Sequence, residues 1–242
     1  MKRWQKIFLS ILVILVLFVG AFVIWGETPS KPMPEAIAAL QSDKSVTVSN
    51  GNWLVFTPVG TFPTAGLIFY PGGRVDYRAY APMAHALAAK GYLVVIPYMP
   101  LNLAVFGIDK AVEVREAYTN IQNWFIGGHS LGGSMAADEL FKHPEQFNGL
   151  ILLASYPANS DDLSNYSGKV LSLSGSMDGL ATPAKIAASK ALLPASSQFV
   201  EIQGGDHAFF GWYGPQSGDH PATITREAQQ AIVLLQIDQT MQ

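Results

Sequence analysis

The chain of 242 residues is half hydrophobic and only 14% charged, which excludes a disordered chain, because this much apolar surface can offset the entropy lost on folding. A formal net charge of −3, without any block of basic residues, argues against a nucleic-acid binder, and we expect no nucleic-acid partner. Cysteine is absent, which excludes disulfides, zinc-thiolate sites, iron–sulfur clusters and a cysteine nucleophile.

The first apolar run covers residues 7–25, which carry no charge and would form about 28 Å of helix, close to the hydrocarbon thickness of a bilayer. Lys2, Arg3 and Lys6 precede it, and its bulky end lacks the small residues of a signal-peptidase site. The pattern predicts a signal anchor over residues 1–26, with the remainder on the extracytoplasmic side. The alternative is a cleaved signal peptide and a secreted protein.

Residues 27–44 predict a Pro-containing tether with a short helix. We expect the tether to run extended and to hold the following residues away from the membrane. Residues 45–242 then form a single globular domain.

This domain alternates between short apolar strands and helices. Strands are predicted at residues 46–49, 53–56, 66–70, 92–96, 124–127, 150–154, 170–174 and 198–202, and helices at 81–90, 109–122, 131–141, 182–192 and from 221 onward. The last helix is expected to bury a face made of Ile224, Ala228, Ile232 and Leu235. The alternation predicts a mostly parallel sheet covered on both faces, with functional residues at the carboxyl ends of its strands.

Ser130 is the candidate nucleophile. It lies at the centre of Gly128-His-Ser-Leu-Gly132, a G-x-S-x-G motif that follows a predicted strand and opens a predicted helix. The glycines two positions to either side leave room for a sharp turn that exposes the serine hydroxyl. A capping serine at a glycine-rich helix start is the alternative interpretation, which the strand-and-helix context disfavours.

A serine hydroxyl needs a base, and the base needs an acid to orient it. His207 follows the last predicted strand and is the expected base, with His220 in reserve. Asp178 follows the strand at 170–174 and is the expected acid. The alternative acids are Asp161, Asp162 and Asp206, but the sequence favours the interpretation that these are solvated carboxylates in loops.

An oxyanion hole needs two backbone N–H donors. We expect them from Leu131, directly after the nucleophile, and from Gly73, in the loop after the strand at 66–70. Arg74 is expected to form a surface ion pair, and the alternative is that it binds a carboxylate of the substrate. The aromatic residues at 209–213 either line a substrate pocket or belong to the core.

These motifs together resemble the α/β-hydrolase family, in its small dienelactone-hydrolase-like and carboxylesterase-like branch. The resemblance rests on residues 70–73, 128–133, 175–178 and 204–207 and covers 46–236. It implies about eight strands in a mostly parallel sheet with helices on both faces, and a Ser130–His207–Asp178 triad. The chain departs from many esterases at Pro71, where they have histidine, and lacks the cysteine of dienelactone hydrolases. The residues after Ala154 are too few for a helical cap, so we expect a minimal cap or none.

The resemblance implies a membrane-anchored extracytoplasmic serine hydrolase, with a catalytic domain at 45–242. Its substrate would be a small-molecule carboxylic ester or related acyl compound, cleaved through an acyl-enzyme. We expect no metal or organic cofactor and no obligatory protein partner, and we expect the membrane to be contacted through the N-terminal helix. Two alternatives are an acyltransferase that uses the same acyl-enzyme and a non-catalytic ligand-binding module.

Overall fold

A single eight-stranded sheet organises the protein in a computed structural model that describes residues 2–242. The strands are β1 (Val46–Asn50), β2 (Trp53–Pro58), β3 (Ala65–Tyr70), β4 (Leu93–Pro97), β5 (Asn123–His129), β6 (Gly149–Leu153), β7 (Lys169–Gly175) and β8 (Gln198–Ile202). Their spatial order is β1-β2-β4-β3-β5-β6-β7-β8. The β1–β2 and β2–β4 pairs are antiparallel and all the others are parallel, so the predicted mostly parallel sheet is confirmed.

Helices cover both faces of the sheet. They are α1 (Arg3–Gly26), α2 (Pro34–Ala38), α3 (Ala81–Ala89), α4 (Lys110–Ala117), α5 (Leu131–Lys142), α6 (Pro183–Ser189) and α7 (Arg226–Met241). Alternation along β3 explains the layers, because successive side chains of a strand point to opposite faces. Leu67 and Phe69 join the cluster that contains α3, α6 and α7, whereas Ile68 and Tyr70 join the cluster of α4 and α5. Between β6 and β7, residues 154–168 form no helix, in agreement with the predicted lack of a cap.

Two helices differ from prediction. The helix predicted at 109–122 ends at Ala117, because Tyr118 turns out of the helix and its ring lies against Trp53. The last helix begins at Arg226 instead of residue 221, because the hydroxyl of Thr225 accepts a hydrogen bond from the Ala228 amide and caps it there.

The apolar helix α1 has 24 residues and spans about 36 Å. Gly26, where the helix reaches the domain, is its one buried residue. Its length and composition suffice to cross a bilayer, a test that an N-terminal signal sequence also passes.

The stretch after α1 lies on the domain instead of holding it away, contrary to the expectation from its prolines. Ser30 forms a bridge with Val75, and Pro32 forms one with Tyr213. The Met33 amide donates to the carbonyl of Trp212 at 2.9 Å. These backbone hydrogen bonds fix the stretch along the domain surface, up to the start of α2.

Candidate active site

Ser130 occupies the sharp turn, or elbow, between β5 and α5 (residues 128–132). Its φ of 53° and ψ of −125° are strained for a residue with a side chain. The turn is possible because glycines flank it: a Cβ at Gly128 would meet the backbone of Gly132 at 2.5 Å. A Cβ at Gly132 would in turn overlap the carbonyl oxygens of Tyr70 and Pro71. The predicted reason for the G-x-S-x-G spacing therefore agrees with the local geometry.

The backbone of Ser130 is held from both sides. Its amide donates to the carbonyl of Leu153 at 3.0 Å, and its carbonyl accepts the hydroxyl of Ser155 at 2.7 Å. Within residues 2–242 its own hydroxyl makes no hydrogen bond. The turn thus presents a half-exposed, unpaired hydroxyl at the carboxyl end of β5.

The structure brings His207 and Asp178 together in the interior. Nδ1 of His207 lies 2.8 Å from Oδ2 of Asp178, and both side chains are almost wholly buried. Nε2 of His207 is buried and has no partner in the described chain. The carboxylate therefore orients the ring and leaves the second nitrogen available for a proton.

Asp178 is itself held by backbone donors. Its Oδ1 accepts the amides of Leu180 and Ala181 at 2.8 and 2.7 Å. These bonds satisfy a buried carboxylate, which would otherwise be costly. They also fix the oxygen that faces His207.

Asp219 ties the loops of the acid and the base to each other. Its two oxygens accept the amides of Gly179 and Ala208, which directly follow Asp178 and His207. No sequence pattern had marked Asp219, because its partners are backbone amides on loops far away in the chain.

His129 lies beside His207, with ring centroids 4.6 Å apart. Its Nδ1 is 2.8 Å from the hydroxyl of Tyr80, which accepts the Gly72 amide at 3.0 Å. That hydroxyl has a single proton, so it donates to Nδ1, and the proton of His129 is assigned to Nε2. Burial, and then the neighbouring His207, lower the pKa of His129 well below its ordinary value, so the ring is neutral.

Tyr80 is a second residue that sequence analysis missed. Its hydroxyl joins the loop at Gly72 to the elbow at His129, and burial raises its pKa. A tyrosine near the start of a helix gives no signal of such a role in the sequence.

The two expected oxyanion donors adjoin each other. A Cβ at Gly73 would lie 3.1 Å from the Leu131 side chain, which shows how closely this loop approaches the elbow. Neither the Gly73 amide nor the Leu131 amide donates a hydrogen bond to any group in residues 2–242. Two unpaired N–H groups thus flank the Ser130 turn, which is the arrangement that an oxyanion requires.

The reserve histidine and the alternative acids lie apart from the pair. His220 is exposed, and Asp162 is exposed in its own loop turn with Ser164. Asp161 is buried and accepts the hydroxyl of the adjacent Ser160. Asp206 accepts the Phe209 amide, and burial raises its pKa. None of them has a hydrogen bond to the ring of His207 within the described residues.

Two further expectations are corrected or resolved. Arg74 forms no ion pair with a carboxylate in the described chain, and its guanidinium instead donates to the carbonyls of Trp25 and Thr28. Of the aromatic run, Phe210 and Tyr213 are fully buried beside His129 and belong to the core.

Several solved structures share this architecture. A predicted CIB-like hydrolase from Thermoplasma acidophilum aligns with a TM-score of 0.61 and 15% identity, over 81% of this chain and 99% of that one. Est1E from Butyrivibrio proteoclasticus, solved with ferulic acid bound, aligns with a TM-score of 0.60 and 13% identity, over 83% and 98%. A protein described as a dienelactone hydrolase from Klebsiella pneumoniae aligns with a TM-score of 0.58 and 15% identity, over 83% and 96%.

No curated protein sequence matches the chain. Its residues 66–231, more than half of its length, match the sequence profile described as the alpha/beta hydrolase family. The match begins in β3, includes the Ser130 turn and the Asp178–His207 pair, and ends within α7. The chain therefore belongs to the alpha/beta hydrolase family.

Proposed function

We propose that the protein is a membrane-anchored serine hydrolase that cleaves carboxylic esters through an acyl-enzyme on the extracytoplasmic side. The observation that carries this proposal is the buried His207–Asp178 pair at 2.8 Å, in a fold whose strained elbow presents Ser130. An oriented imidazole with a free, buried nitrogen is the group that a serine nucleophile needs.

In the first half of the reaction, Ser130 Oγ attacks the acyl carbon while Nε2 of His207 takes the hydroxyl proton. The bond from the acyl carbon to the alcohol oxygen then breaks, and His207 returns the proton to the leaving alcohol. In the second half, water attacks the acyl-enzyme, His207 takes its proton, and the carboxylic acid leaves as Ser130 regains its hydroxyl.

Three groups stabilise the charges that develop. The Asp178 carboxylate, fixed by two backbone amides, stabilises the imidazolium of His207. The free amides of Gly73 and Leu131 bind the oxyanion, and the N-terminus of α5 adds a favourable dipole. Because His129 is neutral, its ring adds no positive charge beside the imidazolium that forms on His207 during the reaction.

The proposed topology assigns residues 1–26 to the anchor, 27–44 to a connecting stretch with a short helix, and 45–242 to the catalytic domain. Lys2, Arg3 and Lys6 would keep the N-terminus cytoplasmic, which leaves the catalytic domain outside.

Labelling with a fluorophosphonate, which reacts with activated serines, tests this proposal. The wild-type chain should become labelled and Ser130→Ala should not, because the attacking oxygen is gone. His207→Ala should be labelled at least 10³-fold more slowly, since a triad behaves as a unit.

His220→Ala is the matched control, because this histidine is exposed and its ring makes no hydrogen bond in the described chain. Its labelling rate and ester turnover should equal those of the wild type. Equal labelling of Ser130→Ala and the wild type would disprove the proposed function, and absence of labelling in both would favour the ligand-binding alternative.

A further inference from the structure

We infer that the candidate active site takes its ester from the bilayer that α1 crosses, so the substrate is a membrane-resident amphiphile with an apolar acyl chain. This inference rests on the proposed function and adds its substrate class. The observation behind it is that the end of α1 is fixed directly to the loop that holds Gly73.

The joint between α1 and this loop is made by Arg74, the residue after Gly73. Its Nε and one terminal nitrogen donate to the carbonyls of Trp25 and Thr28, both at 2.8 Å, and its guanidinium lies 4.3 Å from the Trp25 ring centre. The last carbonyls of a helix have no partner within the helix, and a cation there is favoured by the helix dipole. Arg74 thus caps the C-terminus of α1.

A second contact makes the joint close-packed. The Asn102 side chain donates to the carbonyl of Gly26 at 3.0 Å, and the backbone carbonyl of Asn102 accepts the Arg74 amide at 2.7 Å. A Cβ at Gly26 would come within 2.8 Å of the Leu101 side chain. The end of α1 therefore has a defined position near the carboxyl ends of the parallel strands, where the Ser130 turn also lies.

The segment next to this joint, residues 101–106, is apolar except for Asn102 and lies beside the last turns of α1. The ring of Phe106 lies edge-on to that of Phe22, with centroids 6.5 Å apart. Phe22 precedes Gly26 by four residues, which places it about 6 Å back along α1. Phe106 is 51% exposed and its neighbour Val105 is 46% exposed, although no charged side chain occurs between residues 99 and 107. Such a surface suits an acyl-chain environment rather than water.

The same segment also reaches the candidate site. A Cβ at Gly73 would lie 3.7 Å from the Leu103 side chain, so Leu103 adjoins an expected oxyanion donor. Leu103 and Phe106 are joined by a backbone hydrogen bond of 3.0 Å, so the segment that contacts Phe22 at one end adjoins Gly73 at the other.

An ester whose carbonyl binds at Gly73 and Leu131 would thus have a route for its acyl chain along Leu103 and Phe106 toward Phe22 and the bilayer. A polar headgroup would remain at the interface, which Trp25 marks at the end of α1. A substrate that reaches the site from water gains nothing from this route.

The orientation can be tested without relying on catalysis, because the chain has no cysteine. A nitroxide is attached to Phe106→Cys in the full chain, reconstituted in phosphatidylcholine vesicles. Controls carry the label at Phe141→Cys, near the end of α5, and at Phe62→Cys, which is 96% exposed in the loop before β3. Both control positions lie away from the carboxyl ends of the parallel strands.

We expect the Phe106 label to collide several-fold more often with oxygen, relative to a water-soluble nickel chelate, than the control labels do. A Phe106 label as accessible to nickel as the controls would overturn the inference.

The substrate class is tested with the ratio of two turnover rates of the reconstituted full chain. One rate is the turnover of 4-methylumbelliferyl oleate dissolved in the vesicles, and the other is the turnover of 4-methylumbelliferyl butyrate in water. Phe106→Ser should lower the ratio of oleate to butyrate turnover roughly tenfold, the effect of losing one buried aromatic contact of about 1.5 kcal/mol. Phe141→Ser should leave the ratio unchanged.

The outcomes separate the two proposals. Turnover of butyrate that depends on Ser130, together with no turnover of oleate or an unchanged ratio in Phe106→Ser, would overturn the substrate inference and leave the serine hydrolase intact. Absence of Ser130-dependent turnover of both esters would overturn the proposed function and the substrate inference with it, whatever the label depth.

Discussion

Two adjacent imidazoles in the candidate site have different partners. Nδ1 of His207 faces the Asp178 carboxylate, whereas Nδ1 of His129 faces the hydroxyl of Tyr80, which donates to it. With ring centroids 4.6 Å apart, two charged imidazoles would repel strongly. The neutrality of His129 therefore makes it easier for His207 to accept the serine proton.

The lowered pKa of His129 predicts how stability depends on pH. Below about pH 6.5 the unfolded chain binds a proton on this histidine that the folded chain does not bind. The free energy of unfolding should therefore fall as the pH drops below that value, by up to about 1.4 kcal/mol per pH unit from this group alone. Urea unfolding of the detergent-solubilised chain between pH 7.5 and 5 measures the slope.

His129→Gln should remove this component of the slope, and exposed His220→Gln should retain it. The buried acids Glu139 and Asp206 act in the opposite sense, because burial raises their pKa values. They are present in every variant, so the difference between variants isolates His129. A slope in His129→Gln equal to that of the wild type would contradict the assignment of a neutral, buried ring.

The candidate catalytic residues could be predicted from sequence because each follows a strand at a recognisable glycine-rich turn. The residues that hold them could not. Tyr80 and Asp219 accept hydrogen bonds from backbone amides that are at least 8 residues away in the chain. Such contacts depend on the tertiary fold. Arg74 was misread for a related reason, since its partners are carbonyls at the end of α1 and no charge pattern indicates them.

At the scale of elements, α7 shows where hydrophobic periodicity fails. Of the predicted face, Ile224 and Ile232 are partly buried against the core, but Ala228 and Leu235 are exposed. Arg226 and Gln229 are buried instead. Gln229 exchanges two hydrogen bonds with the backbone of Asp206. Arg226 donates to the carbonyls of the loop that follows His207. The first turns of the helix place polar side chains inward because they support that loop, so an apolar count identifies only part of the buried face.

Crowding at the elbow predicts that the stability lost when a glycine is replaced by alanine differs between Gly132 and Gly214. Gly132→Ala should destabilise the fold by about 1–3 kcal/mol, because its Cβ would overlap backbone carbonyls of Tyr70 and Pro71 that cannot move freely. Gly214→Ala is the control, since nothing lies within 4 Å of its Cβ position. Urea unfolding followed by near-ultraviolet circular dichroism gives both values, and equal stabilities would refute the crowding argument.

At the scale of the whole molecule, the order of strands and helices was predictable, because the strands from β3 to β8 alternate with helices at every connection except the one between β6 and β7. The position of α1 was not, since an apolar helix is predicted by composition alone. Its place on the domain depends on a few contacts at Gly26, Leu101 and Asn102.

Arg74 should control how firmly α1 and the stretch after it are attached. Arg74→Ala removes the hydrogen bonds to Trp25 and Thr28, and a bond to a charged group contributes about 1.5–3 kcal/mol. Amide hydrogen exchange in residues 27–33 should therefore become roughly tenfold faster or more, as measured by mass spectrometry.

Arg115→Ala is the matched control, because this arginine lies on α4 and bonds to Gln146. It should leave exchange in residues 27–33 as it is in the wild type. If Arg74→Ala left exchange there unchanged as well, the joint would have to be held by other contacts.

The capped end of α1 also bears on how this protein could be re-engineered or could diverge. A membrane helix joined by a flexible linker can be exchanged for another without consequence for the enzyme it carries. Here the carbonyls of Trp25 and Thr28 accept hydrogen bonds from Arg74, the residue after Gly73. The carbonyl of Gly26 accepts one from Asn102. A foreign anchor would have to end in the same backbone geometry, with a glycine facing Leu101. In the proposed topology, the anchor and the catalytic domain would therefore have to be exchanged as one part, and a chimaera that joins them elsewhere would have to rebuild the loop at Gly73.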